Sequence, residues 1–169
     1  MISENFEKKN IGKIIRNKKK LEKNLKVKIK RIQNQVFIEG DEIDVYLAEN
    51  VIYAISVDFP INIALLLLNE DYVLENIPIK SILNKGNLFR TKSRIIGKQG
   101  KTLKILEELS NCYFKLSDNT VSIIGPSENI KDAVTALKSL IYGSKQSNVY
   151  SYLEKQRKKQ FPANLGLKR

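Results

Sequence analysis

Apolar positions along this chain fall into two rhythms, one repeating every second residue and one every third or fourth, and the switches between them outline its elements. From Val73 to Ile79, Val, Leu and Ile alternate with polar positions, which predicts a strand that Asn84-Lys85-Gly86-Asn87 breaks. A short helix is expected from about Leu88 into Ile96. Beyond Gly97 and Gly100, Leu103, Leu106 and Leu109 stand at helical spacing with Ile105 alongside and Glu107 and Glu108 facing away, which predicts a second short helix. Cys112, Phe114 and Leu116 alternate with Tyr113 and Lys115, and Val121 and Ile123 with Ser122 and Ile124. Asp118-Asn119 turns between them, giving a hairpin. Pro126 suits the first position of a helix whose apolar face is Ile130, Ala133, Val134, Leu137, Leu140 and Ile141 and whose stop is Gly143. The order is strand, helix, helix, strand, strand, helix.

A weaker copy of this pattern lies upstream. Val36-Phe37-Ile38-Glu39-Gly40 matches Val121-Ser122-Ile123-Ile124-Gly125, Val27-Lys28-Ile29-Lys30 parallels Cys112-Tyr113-Phe114-Lys115, and Gln33-Asn34 stands where Asp118-Asn119 turns. Ile14-Ile15 parallels Ile95-Ile96, and Asp44 to Val57 supplies a closing helix with Val45, Leu47, Ala48, Val51, Ile52 and Ile55 on its face. Between the copies, Phe59 to Leu68 is apolar nearly all round and predicts a buried connector helix. The expected organisation is an α+β chain with a first domain at 1–58, a connector and linker at 59–75, a second domain at 76–143, and a basic helix and loose tail at 144–169.

Composition narrows the chemistry. Thirty Lys and Arg against eighteen Asp and Glu leave a formal charge of +12, which attracts polyanions or acidic surfaces. With no histidine and a single cysteine, Cys112, the 169 residues offer no internal disulfide, no Cys/His zinc site and no His-based triad. No cofactor or metal and no enzymatic activity are expected. Cys112 reads as a small core residue. The amino terminus has no charged-then-apolar leader, and the longest apolar run, Ile63 to Leu68, is far short of the roughly 20 residues that span a bilayer. A cytoplasmic protein without a membrane partner is expected.

One stretch carries most of the functional content. Gly97-Lys98-Gln99-Gly100 sits between two predicted helices, where each glycine costs about 1 kcal/mol relative to alanine. Close approach of a phosphate backbone to the amides there, and to the start of the next helix, is the physical reason to keep them. Gly100-Lys101-Thr102 is also the tail of a nucleotide-binding loop, but that loop needs a glycine where Ile95 stands and a strand where Arg90-Thr91-Lys92-Ser93-Arg94 stands. The candidate binding residues are Arg94, Ile95, Ile96, Gly97, Lys98, Gln99, Gly100, Lys101, Leu103 and Lys104. Ile95, Ile96 and Leu103 read equally as groove wall or as core. Lys104 reads equally as a phosphate contact or a solvated face, and Tyr113 as a stacking or a packing residue. The aligned segment of the first copy, Arg16-Asn17-Lys18-Lys19, has no glycine and is followed by a stretch four residues shorter. Its basic run could meet phosphates by charge alone.

In this order of elements the turn resembles that of the eukaryotic-type (type I) KH domain, a family that clamps about four single-stranded nucleotides. Arg94 to Thr102, Asn119 to Gly125 and Ser147 to Lys155 resemble more narrowly the archaeal two-KH proteins related to the partner-of-Nob family. The resemblance covers residues 73–160 well and 1–58 more weakly, since archaeal members often keep a glycine turn in the first unit. It implies two tandem KH domains, each a three-stranded antiparallel sheet with three helices. It also implies binding of single-stranded ribosomal RNA, a place in small-subunit assembly and maturation of the 3′ end of its RNA, and the pre-ribosomal small subunit as partner. An endonuclease or the alpha subunit of translation initiation factor two is the protein partner it suggests, with the chain itself a monomer. The alternative is a protein scaffold that docks such a nuclease or factor through the first unit or through Val149 to Leu153, with non-specific RNA contact only.

Overall fold

The structure is a computed structural model that describes residues 2–5, 8–83 and 85–160. The tail expected from Pro162 and Asn84 of the expected break lie outside them. The chain divides into two compact units, Met1–Leu74 and Glu75–Arg169.

In the first unit, β1 (Ile2–Asn5), α1 (Lys8–Arg16), α2 (Lys18–Leu25), β2 (Lys28–Ile32), β3 (Gln35–Glu39) and α3 (Glu42–Ser56) follow in order. The sheet runs β1-β3-β2, with β3 antiparallel to both neighbours and Ile29 opposite Ile38. Period-two alternation buries Ile29, Val36 and Ile38, while Ile11, Ile14, Leu21, Ala48 and Ile52 close over them from the helices. Each of the Val, Leu and Ile side chains among them stabilises by about 1.5 to 3 kcal/mol when fully buried. The expected connector helix is shorter than its apolar run. Pro60 caps a single turn, α4 (Ile61–Ala64), which tightens into a 3₁₀ turn at Leu65–Leu68 before Asn69. Both pack on α3 and cluster with the first unit.

The second unit is built from β4 (Tyr72–Pro78), the single turn α5 (Ile79–Ile82), α6 (Leu88–Ile96), a 3₁₀ turn (Lys98–Gly100), α7 (Lys101–Ser110), β5 (Tyr113–Ser117), β6 (Thr120–Pro126), α8 (Ser127–Tyr142) and α9 (Gln146–Gln160). Its sheet runs β4-β6-β5 with β5 and β6 antiparallel. Three local expectations change. Ile79 opens a helical turn instead of ending the strand, and Pro126 closes β6 and caps α8, which starts at Ser127. Glu107 does not face away: its Oε1 accepts the Phe114 amide at 2.9 Å and braces the start of β5.

α9 is part of this unit's core. Val149 and Leu153 are buried with Leu106, Leu137 and Leu140, and the Tyr152 hydroxyl donates to Asp132 Oδ1 at 2.9 Å. The expected docking surface at Val149 to Leu153 is therefore occupied by the fold itself, because its two aliphatic members sit one helical turn apart and point inward.

The two units repeat one another in detail. Glu22 Oε1 accepts the Ile29 amide at 2.8 Å, as Glu107 does for Phe114. Lys26 and Asn111 end α2 and α7 in the left-handed conformation, and Gln33 and Asp118 turn the two hairpins with φ of 54° and 51°. Gly40 lies against Val27 as Gly125 lies against Cys112. The partners in every one of these pairs are displaced along the chain by the same number of residues.

Candidate nucleic-acid interface

The turn between α6 and α7 is a bent 3₁₀ segment, not continuous helix. α6 ends at Gly97, whose amide bonds to Ser93 O at 2.8 Å, and the Gly100 amide reaches back to Gly97 O at 3.2 Å. Gly97 adopts φ 74° and ψ 176°, a region that glycine alone enters freely. Gln99 and Gly100 follow with φ 54° and 74°, both left-handed.

The two glycines serve different ends. A Cβ on Gly97 would lie 2.6 Å from Thr102 Cβ and 2.8 Å from the Thr102 amide nitrogen, so Gly97 is demanded by the fold itself. A Cβ on Gly100 would meet nothing within 4 Å. That open side is where a ligand backbone can come close. The amides of Lys98 and Gln99 have no partner among the described turn and cap hydrogen bonds, and no side chain caps the amino terminus of α7. The Lys101 amide that opens α7 is bonded to Lys98 O, so the unpartnered N–H groups belong to the turn just ahead of the ten-residue helix, where the positive end of its dipole favours an anion.

The surrounding charge has one sign. Between Glu75 and Glu107 there is no Asp or Glu, while Lys80, Lys85, Arg90, Lys92, Arg94, Lys98, Lys101 and Lys104 lie in that interval. Lys98, Gln99, Lys101 and Lys104 are exposed. Ile96 is 38% exposed beside the turn, and Leu103 is half-buried against the core. Ile95 is wholly buried, so it supports α6 from beneath and offers no surface to a ligand. Its neighbour Thr91, one turn earlier, is buried with it, which fixes the inward stripe of α6. Tyr113 is 39% exposed and alternates with buried Phe114, on the sheet face opposite the one that packs into the core.

Arg94 is half-buried and its Nη2 donates to Ser144 O at 2.7 Å. It ties α6 to the α8–α9 connection and borders a shallow depression with Gly143, Lys145, Gln146 and Ser147. Thr102 and Gln146, neither among the candidate binding residues, complete the arrangement. Gln146 Nε2 donates to Thr102 Oγ1 at 2.8 Å and approaches Arg94 O at 3.4 Å. The first residue of α9 thus holds the side chain on which Gly97 rests. Nothing local could have revealed this, since Thr102 and Gln146 are far apart in the chain.

The corresponding junction of the first unit is closed. Asn17 alone separates α1 from α2, and its Nδ2 donates to Lys13 O at 2.9 Å. Arg16 Nε turns back to Gly12 O at 3.2 Å, and Lys18 lies 3.7 Å from Glu22. Lys19 and Lys20 remain exposed. Among the described residues no cluster of three or more Cys, Asp or Glu could hold a metal, and no helix is long and apolar enough to cross a membrane.

Comparison with known proteins bears on this geometry. Residues 73–158 match the profile of the Eukaryotic type KH-domain (KH-domain type I). A KH domain-containing protein of Methanocaldococcus jannaschii is 35% identical over 156 residues, covering 88% of this chain and 69% of that protein. The Pre-rRNA-processing protein PNO1 of Coccidioides immitis is 37% identical over 108 residues, 62% of this chain and 42% of its own length. The chain thus spans about two thirds of the archaeal relative and less than half of the eukaryotic one. Dim2p from Pyrococcus horikoshii has a similar structure, with a TM-score of 0.83 at 34% identity over 91% of this chain and 98% of that one. A chain in the a/eIF2alpha-aDim2p-rRNA complex from the same organism gives 0.84 at 34% identity, covering 94% of each. By sequence, fold and the turn at its centre, this chain belongs to the eukaryotic-type KH family, in the group that contains PNO1 and archaeal Dim2p.

Proposed function

We propose that the chain is a cytoplasmic, monomeric RNA-binding adaptor of the small ribosomal subunit, made of two tandem KH folds, of which the second grips single-stranded ribosomal RNA. The observation that carries this reading is the turn at Gly97–Gly100, where the Lys98 and Gln99 amides have no partner among the described turn hydrogen bonds, the flank at Gly100 is open, and Lys98, Lys101 and Lys104 are exposed on the turn and the helix after it. Relatives named for pre-rRNA processing, and a neighbour solved with rRNA, favour ribosomal RNA and the 3′ end of the small-subunit species as target. The same neighbour contains a/eIF2alpha, which supports that factor as a partner, with an endonuclease as the second candidate. Catalysis is left to the partner.

Changing Lys98 and Gln99 together to Asp tests the reading. Both side chains are exposed, and Asp tolerates the left-handed conformation of Gln99, so the fold survives. Two negative charges then face the phosphates. RNA retention on filters is expected to vanish with an unchanged melting temperature, and unaltered affinity overturns the proposal. Crosslinking in cells, with reads gathered at the end of the small-subunit RNA, tests the target.

A further inference from the structure

The surface of α6 carries a feature that the turn does not explain. Phe89 is 80% exposed, although the same helix buries Thr91 and Ile95. At 3.6 residues per turn, Phe89, Ser93 and Ile96 fall within about 60° of arc, so they form one outward stripe that ends at the turn. All three are exposed. Phe89 stands on a fixed base, because Asn87 caps α6: its Oδ1 accepts the Arg90 amide at 3.0 Å and its carbonyl accepts the Thr91 amide at 3.0 Å. Arg90 and Lys92 flank it, inside the acid-free interval between Glu75 and Glu107.

We infer that Phe89 is a base-stacking platform for the strand gripped at Gly97–Gly100, an inference that rests on the proposed RNA-binding reading. An aromatic face beside a cationic track is the combination that holds single-stranded nucleic acid, since every base has a face to stack and the phosphates follow the charge. The distance fits. Seven residues of α6 rise about 10 Å from Ile96 to Phe89. That length holds two to three nucleotides at the rise of about 3.4 Å of a stacked strand, or fewer in an extended one. A docked protein segment would bring acids to this field, but stacking also uses the uncharged ring at its centre, which ion pairing does not.

The chain has no tryptophan, which supplies a clean reporter. Phe89→Trp places one indole on the proposed platform, and a mixed-sequence single-stranded RNA 12-mer is the probe. Its emission is expected to be quenched on addition of the 12-mer, with no quenching in the Lys98→Asp, Gln99→Asp background. In filter binding, Phe89→Ala is expected to weaken the 12-mer about tenfold, the order of one lost stacking contact, without changing the salt slope. An unquenched indole in a protein that still retains RNA on filters overturns the platform and leaves the grip standing. So does Phe89→Ala affinity within twofold of wild type, or quenching that persists in the double-Asp background. Failure of the wild-type chain to retain the 12-mer at all overturns both readings at once.

Discussion

Gln146 reaches from the first turn of α9 to Thr102, donating to its hydroxyl at 2.8 Å, and Thr102 is the residue that leaves no room for a side chain on Gly97. The carboxyl-terminal helix therefore sets the shape of the turn it never enters. Gln146→Ala removes this restraint. A lost hydrogen bond of this kind is worth about 1 kcal/mol, which taken from the bound geometry is roughly fivefold in RNA affinity. Filter binding checks the affinity. Thermal unfolding should show a small loss only, because Gln146 is exposed and its neighbours Val149 and Leu153 stay buried.

The two glycines of the turn should separate fold from function. Gly97→Ala meets both a backbone region costing about 1 to 3 kcal/mol and the Thr102 backbone, so a loss of stability above roughly 3 kcal/mol is expected in urea unfolding. Gly100→Ala incurs the left-handed penalty alone, about 1 to 2 kcal/mol, because nothing lies within 4 Å of its new methyl. That methyl would nevertheless stand where the ligand approaches. Gly100→Ala should fold and bind RNA poorly.

Charge at the turn has a quantitative signature. Each phosphate neutralised on a single strand contributes about 0.7 to the slope of log affinity against log salt. Lys98→Ala and Lys101→Ala should each flatten the slope by about that amount. Arg94→Ala should instead lower stability, since its guanidinium holds Ser144 O.

Burial pushes the Cys112 thiol up to about 11 from its ordinary value of 9.0. The folded state thus favours the neutral thiol more than the unfolded chain does. Its contribution is complete below about pH 9 and fades as pH rises toward 11, by about 1.4 kcal/mol per pH unit within that window. Urea midpoints at pH 7.5 and 10.5 should converge in Cys112→Ala relative to wild type. A thiol reagent at pH 8 should label the native protein only after unfolding.

What was legible in the chain is what hydrophobic spacing encodes. The apolar spacing from Leu88 to Ile96 predicts the helix that is there, and the hairpin around Asp118-Asn119 lies where alternation places it. Spacing failed where a side chain acts across elements. Glu107 has the appearance of a solvated residue until β5 brings the Phe114 amide beside it. Ile95 and Ile96 are adjacent and chemically alike, yet one is wholly buried and the other 38% exposed, because a helix rotates about 100° per residue and only one of the two can face the core. The role of Gln146 depends on how α9 lies along α7, which no local pattern specifies.

At Asn17 two helices meet with one residue between them, and its amide group folds back on Lys13. Arg16-Asn17-Lys18-Lys19 holds no glycine, so side chains stand where the second unit leaves its backbone open. A duplicated body with a single berth should take up one oligonucleotide per protein molecule, and a titration followed by sedimentation should reach its plateau at that ratio.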